Sequence, residues 1–402
     1  MINIDLINSC EENLQENFKK IDEIALFNQE KVLNAFKKRN IALRHFVGTT
    51  GYGYGDEGKE ALNDVISDIF KCESAICSPN IVSGTHALSL CLFGILRPND
   101  KVLCVSGTPY DTLTDVIKGK DNGSLQEFGI DFEYVDLIDG EFNFESISKK
   151  LEEKTYKMIY LQRSRGYEWR NALSIKQIAE LVDFVKGKGF ENCIMLDNCY
   201  GEFIDIKEPT EVGVNILAGS MIKNIGGGIA PTGGYVAGDK KYVDIVYNRL
   251  TAPSIGSEVG SYAYGYQYFF QGIFLAPSVV KDALKGAMLI GKVLSELGYE
   301  TSPSEDQLPN DIIKAIKFNN KDKLIKFIQN VQYNSPVDSN VTAIPWSMPG
   351  YKDEVIMAAG CFVQGASIEL SADAPIKPPY IAYFQGGLTY EHCKIVLKNL
   401  DL

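Results

Sequence analysis

Between residues 61 and 252, short apolar runs alternate with longer stretches of helical spacing, and no other feature of the 402-residue sequence restricts the fold as much. The runs at 75–77, 101–105, 132–135, 158–161, 193–196, 216–218 and 234–237 read as strands. Among the stretches beside them, 61–70 and 175–186 carry apolar residues three and four apart, the period of an amphipathic helix. Strands and helices in alternation predict an α/β domain, a mostly parallel sheet covered on both faces.

The two ends of the chain depart from this pattern. From 14 to 44, Phe18, Ile21, Ala25, Val32 and Phe36 recur at helical spacing among charged residues. That helix either lies on the outside of the core or is an arm packed on a partner subunit. After Pro253 come an aromatic stretch at 262–270, a long helix predicted over 278–297 and a terminal helix from Thr389, which together read as a smaller α+β domain. The expected division is a helical arm over 1–52, a large α/β domain over 53–255 and a small domain over 256–402.

A net charge of −12, with basic residues scattered, argues against nucleic acid or an anionic membrane as partner. The longest uncharged span, 74–96, contains Pro79, Asn80, Ser83, Gly84, Thr85 and His86, too polar for a membrane span and suited to a buried strand, turn and helix. Nine cysteines without a C-x-x-C pair read as reduced thiols of a cytoplasmic protein. The three histidines, His45, His86 and His392, have no metal-ligand spacing, so no metal is expected. The N-terminus lacks the basic and apolar regions of a signal peptide, and the expected location is cytoplasmic.

The most unusual stretch is 219–234, where Lys223 stands between a small-residue turn and Gly226-Gly227-Gly228, with Gly233-Gly234 before a strand. A solvated lysine needs no glycines, whereas one bonded to a bulky planar cofactor needs backbone that comes close and adopts positive φ. Asp197 ends a buried strand, the position in which α/β enzymes present a working carboxylate. Ser83-Gly84-Thr85 precedes an apolar helix and reads either as a phosphate site built from helix-start amides or as a plain cap by Ser83 or Thr85. Tyr110 falls on a loop at a strand's carboxyl end, where ligands bind in such sheets. Arg163 and Arg165 suit an anionic ligand or a solvated loop.

Three rival motifs fail on particular residues. The loop at 51–60, with Tyr52 and Tyr54, nearly matches a P-loop but has Glu60 where Ser or Thr is needed; a mobile loop or a tyrosine wall fits it better. Ser220-x-x-Lys223 lacks the Ser-Asp-Asn and Lys-Thr-Gly partners of penicillin-binding enzymes, and Gly226-Gly227-Gly228 lacks the dinucleotide spacing. Together, the lysine, the strand-end aspartate, the helix start and the tyrosine are the parts of a pyridoxal phosphate site. Lys223 then carries the cofactor as a Schiff base and serves as proton-transfer base, which requires a lowered pKa. Asp197 keeps the pyridine nitrogen protonated.

The segments Ser83-Gly84-Thr85-His86-Ala87, Thr108-Pro109-Tyr110, Gln162-Arg163-Ser164-Arg165-Gly166-Tyr167, Asp197-Asn198-Cys199-Tyr200-Gly201-Glu202, 219–234 and Tyr380 through Gln385-Gly386-Gly387-Leu388-Thr389-Tyr390-Glu391-His392 resemble the methionine γ-lyase-like family, also called aluminium-resistance proteins. This family is a branch of the fold-type I pyridoxal phosphate enzymes near the cystathionine lyases. The resemblance implies a large domain with a mostly parallel seven-stranded sheet, a small C-terminal domain, and a carbon–sulfur lyase acting on a sulfur-containing amino acid by β- or γ-elimination. It implies catalytic roles for Lys223, Asp197 and Tyr110, the last stacked on the ring. Cofactor contacts would come from Ser83, Gly84, Thr85, Tyr200 and Ser220. It also implies a homodimer or homotetramer in which Tyr52 or Tyr54 reaches a neighbouring subunit's phosphate. Other pyridoxal phosphate chemistry, such as amino transfer, or binding without turnover, is the alternative.

Three departures bear on the substrate. Ile222 stands where the better-known lyases have Ser or Thr before the lysine, and Arg163-Ser164-Arg165 replaces an Asn-Pro segment. The C-terminal arginine that clamps the substrate carboxylate has no counterpart in Tyr383-Phe384-Gln385-Gly386-Gly387. The planar fork of an arginine matches a carboxylate better than a lysine does, so Arg163 or Arg165 is expected to bind it ahead of Lys377.

Overall fold

The structure is a computed structural model that describes residues 2–305, 307–348 and 351–401. Two helices open the chain, α1 (Ile4–Asn13) and α2 (Gln15–Lys38), where the sequence predicted one helix to 44. Helix α2 stops because Asn40 takes φ +50°, and the amides of Asn40 and Ile41 return to the carbonyls of Lys37 and Phe36. This is a Schellman termination, with asparagine in the place glycine usually fills. On one face α2 buries Phe18, Ile21, Val32 and Ala35, and Asn28 Nδ2 donates to the carbonyls of Phe203 and Asp205. The arm is thus fastened to its own chain, while Leu26, 72% exposed, and Phe27 look outward.

The next elements are α3 (Glu57–Ile69), β1 (Ser74–Ser78), α4 (Gly84–Ile95), β2 (Lys101–Cys104), α5 (Asp111–Lys118), β3 (Asp131–Tyr134), α6 (Phe144–Glu153) and β4 (Met158–Gln162). They continue with α7 (Ile175–Gly187), β5 (Cys193–Asp197), β6 (Ile216–Ser220), β7 (Gly234–Gly238) and α8 (Lys240–Leu250). The seven strands form one sheet in the order β1-β7-β6-β5-β4-β2-β3. Only β7 runs against the others, pairing antiparallel with β1 and β6. Strand side chains alternate between faces. Met158 and Tyr160 accordingly join the apolar cluster that includes Leu88 and Val243. Ile159 and Leu161 join the opposite one with Leu62 and Leu181.

The rest of the chain comprises α9 (Gln267–Glu296), β8 (Glu300–Ser302), β9 (Ile313–Lys317), α10 (Lys321–Tyr333), β10 (Val355–Ala358), β11 (Ser371–Pro375), β12 (Ile381–Gln385) and α11 (Tyr390–Asn399). Its sheet is antiparallel in the order β10-β11-β12-β9-β8. Helix α9 begins well before the predicted 278 and keeps Pro277 in its interior. The lost hydrogen bond is offset there by burial of Phe269, Phe270, Ile273 and Ala276. Among the described residues no helix is long and apolar enough to cross a membrane.

Candidate active site

The carboxyl ends of β4, β5 and β6 and the N-terminus of α4 face the small domain's β11 and β12 across a cavity of about 460 Å³. Lys223, just past β6, places its Nζ 4.0 Å from the ring centroid of Tyr200. Asp197 closes β5, and its Oδ1 accepts the amide of Cys199 at 3.0 Å. Burial pushes the Asp197 carboxyl up, and the Lys223 ammonium only partly offsets this.

Burial pulls the Lys223 amine down, but the anionic forms of Cys199, Tyr200, Asp197 and Tyr110 outweigh it, and its pKa stands well above the ordinary value. Burial keeps the thiol and both phenols protonated at neutral pH, which leaves Asp197 as the carboxyl among these four that faces the lysine. The lowered pKa expected of Lys223 is therefore not a property of the chain alone, which holds this lysine as a cation.

At the other side of the cavity Ser83 caps α4, its Oγ accepting the amide of His86 at 3.0 Å. Gly84 and Thr85, the first two helical residues, have no carbonyl within the helix for their amides. The capping and anion-site readings are therefore both satisfied, by different groups. A Cβ on Gly84 would stand 3.3 Å from Cys199 Sγ and 3.4 Å from Ser220 Cβ, so glycine keeps this cradle open. Tyr110 OH lies 2.9 Å from Thr85 Oγ1, and the Tyr110 amide donates to Gln162 Oε1 at 2.9 Å. A half-buried lysine, a buried strand-end carboxylate and a helix start lined by hydroxyls, all around one cavity, fit pyridoxal phosphate.

Several expectations change. Arg163 does not line the cavity: it is buried, with Nη1 donating to Asn198 Oδ1 at 3.0 Å and to the Gly201 carbonyl at 2.7 Å, and Nε to the Leu173 carbonyl at 3.3 Å. It ties the loop after β5 to the segment before α7 and is not free for a substrate. Arg165 does line the cavity, with Nη1 donating to the Ser302 carbonyl at 2.9 Å. Its Nε, 3.8 Å from Asp311 Oδ2, is buried and makes no hydrogen bond. Lys377 lines the rim and is ion-paired with Asp353 at 3.2 Å. Tyr52 and Tyr54, 69% and 68% exposed with ring centroids 5.4 Å apart, lie outside this cavity of their own chain.

The glycine run also has a different reason from the one expected. None of its residues lines the cavity; Gly227, at φ +56°, faces the carbonyl of Gly272 in α9, and Gly228 faces Leu388. Sequence reasoning missed Asp373 and gave no role to Tyr167, Tyr351 or Gln385, which also line the cavity. A lone aspartate inside Ser371-Ala372-Asp373-Ala374-Pro375 was the available signal. It also missed Glu202, which is buried behind Lys223. Its Oε1 accepts the Tyr235 hydroxyl at 2.6 Å, and its Oε2 is unpaired.

The family model for methionine gamma-lyase matches residues 3–401. The Bacillus subtilis (strain 168) protein YnbB, described as uncharacterised, is 46% identical over 94% of this chain and 90% of its own. The solved structure of a carbon–sulfur lyase involved in aluminium resistance from Clostridium novyi NT superposes with a TM-score of 0.94. It is 50% identical over 98% of this chain and 94% of that one. The pyridoxal-5'-phosphate dependent protein YhfS from Escherichia coli shares the fold, with a TM-score of 0.64 at 15% identity over 94% and 96% of the two chains. The chain therefore belongs to the methionine gamma-lyase family, fold-type I enzymes of the carbon–sulfur lyase kind whose cofactor is pyridoxal 5'-phosphate.

Proposed function

We propose that the protein eliminates a thiol from a sulfur-containing amino acid, with the cofactor held on Lys223. The observation that carries this is the convergence of Lys223, Asp197, Tyr110 and the free amides of α4 on one cavity. When bound, pyridoxal phosphate supplies an electron sink for negative charge at the substrate Cα. Lys223 would hold the cofactor through Nζ and, once the substrate amine has displaced it, would take the Cα proton on the same, now free, atom. Asp197, kept from water, would hold the pyridine nitrogen and stabilise a proton there. The amides of Gly84 and Thr85, with the hydroxyls of Ser83 and Ser220, bind the phosphate. Tyr110 gives the ring a face and Tyr200 closes the lysine's side.

Arg165 is the group for the substrate carboxylate, supported by its place on the cavity wall, with Lys377 as the second cation at the rim. The exposed Tyr52 and Tyr54 suit contact with the phosphate of a neighbouring subunit, in a homodimer or homotetramer with shared sites.

Borohydride reduction of the yellow holoenzyme should fix the cofactor to the peptide that contains Lys223, and label on another lysine overturns the assignment. Incubation with a panel of sulfur amino acids should release thiol and keto acid together. Keto acid without thiol would point to amino transfer. In Asp197→Ala, Cα–H exchange should fall by at least about a hundredfold while cofactor remains bound; unchanged exchange removes Asp197 from the mechanism.

A further inference from the structure

One carboxylate in the cavity has no part in the chemistry above. Asp373 lies in β11, directly across from Met357 of β10 and Tyr383 of β12, and lines the same cavity as Lys223. Its Oδ2 accepts a hydrogen bond from Gln385 Nε2 at 3.1 Å, and among the described residues its side chain makes no other and no ion pair. Burial pushes it up to about 7, with Gln385 and the Lys223 ammonium pulling weakly the other way. A carboxylate taken from water with one neutral donor is under-compensated, and such groups concentrate where a ligand brings the missing charge.

The surroundings say which charge. Tyr167, Tyr200 and Tyr351 line the cavity with Asp373, and the charge of Asp373 acts on the phenol of each. The Tyr167 ring centroid stands 5.1 Å from that of Tyr383 and 5.9 Å from that of Tyr351, so the rings form a continuous wall. Aromatic faces beside a carboxylate attract ammonium groups. The wall already does so in the structure, where the Lys223 ammonium sits 4.0 Å from the centroid of Tyr200. Lys223 does not remain a fixed partner of Asp373 in the working enzyme, because its amine is committed in turn to the cofactor and to the Cα proton. The substrate α-amine is committed to the reacting centre as well, so the cation that answers Asp373 is a different one.

We propose that Asp373 and its tyrosine wall bind a second, positively charged amine of the substrate, so that the enzyme prefers amino acids whose side chain ends in an ammonium. Combined with the lyase reading, on which this point rests, the ammonium belongs to the departing thiol half.

Two isosteric pairs test this. L-Ornithine and L-norleucine differ by an ammonium in place of a methyl group, and their binding to the holoenzyme is read from the cofactor's absorption spectrum. S-(2-aminoethyl)-L-cysteine and S-propyl-L-cysteine differ in the same way, and their kcat/KM values are read from thiol release. The wild-type protein should favour the charged member of each pair by about tenfold or more, and Asp373→Asn should bring the ratio towards one. Equal binding of ornithine and norleucine by the wild-type protein overturns the proposal without recourse to any variant. So does a preference that survives Asp373→Asn, and so does an equal loss of both members, which would make Asp373 only a partner of Lys223. A preference for ornithine without thiol release from either cysteine thioether keeps the ammonium site and overturns the lyase reading. Thiol release from both at equal kcat/KM does the reverse.

Discussion

Arg163 and Arg165 look equivalent in the sequence, yet one is a structural tie and the other a wall of the site. The difference lies in acceptors with no sequence signature: Arg163 meets the carbonyls of Leu173 and Gly201, which the fold brings to it from two other segments. Arg163→Ala should therefore lower stability by about 3 kcal/mol, measured by urea unfolding, since it strands three buried acceptors of a charged donor. Arg165→Ala should weaken binding of an α-amino acid at least about tenfold. The pH dependence at this scale comes from buried carboxyls, Asp373 in the cavity and, outside it, Glu202. Burial raises the Glu202 carboxyl to about 7, above the ordinary 4.5, so the folded protein holds a proton that the unfolded chain has released between those values. Its contribution to stability is then lost as pH rises from about 4.5 to 7, by up to about 3 kcal/mol. Cofactor-free protein should unfold at lower urea concentration at pH 8 than at pH 5, and Glu202→Gln should reduce that difference by its own share, leaving that of Asp373. An unchanged slope would remove Glu202 as a source. Lys223, Asp197 and Tyr110 were legible because each follows a recognisable strand, whereas Glu202 is buried by packing that no local pattern encodes.

At the scale of elements, the run Gly226-Gly227-Gly228 attaches the lysine loop to α9. A Cβ on Gly227 would stand 2.5 Å from the Gly272 carbonyl and 3.1 Å from the Ala276 amide, at a φ that side chains rarely adopt. Helix α9 and this loop are fitted backbone to backbone, so the position of Lys223 depends on a helix of the later part of the chain. Gly227→Ala should cost about 1–3 kcal/mol in stability and should also weaken cofactor binding, because the loop can relieve the clash only by moving with the lysine. A stability loss with cofactor affinity unchanged would separate the two. The strands of the large sheet were legible as apolar runs. The start of α9 was not, because Pro277 reads as a boundary in sequence and is tolerated here only by the burial around it.

For the whole molecule, the deciding fact is that the cavity lies between two sheets made from separate parts of the chain. Its floor comes from the ends of β4, β5 and β6 and was foreseen, since ligands bind at the carboxyl ends of parallel strands. The opposite wall, with Asp373 and Tyr383 paired across β11 and β12, could not be foreseen: a short antiparallel sheet gives no signal of which face will meet the first domain. The remaining open side concerns assembly. Tyr52 and Tyr54 stand in solvent on their own chain, and Leu26 and Phe27 of α2 present apolar surface beside a helix already fastened inside. If both tyrosines serve a neighbour, a Lys223→Ala subunit and a Tyr52→Ala, Tyr54→Ala subunit carry lesions that fall in the same site of a mixed dimer, leaving its other site intact. Mixing the two inactive proteins under conditions of subunit exchange should then restore activity at roughly a quarter of the sites, by random pairing in a two-fold dimer. Sites built from one chain alone would stay inactive in any mixture, and sedimentation of an active monomer would exclude sharing altogether.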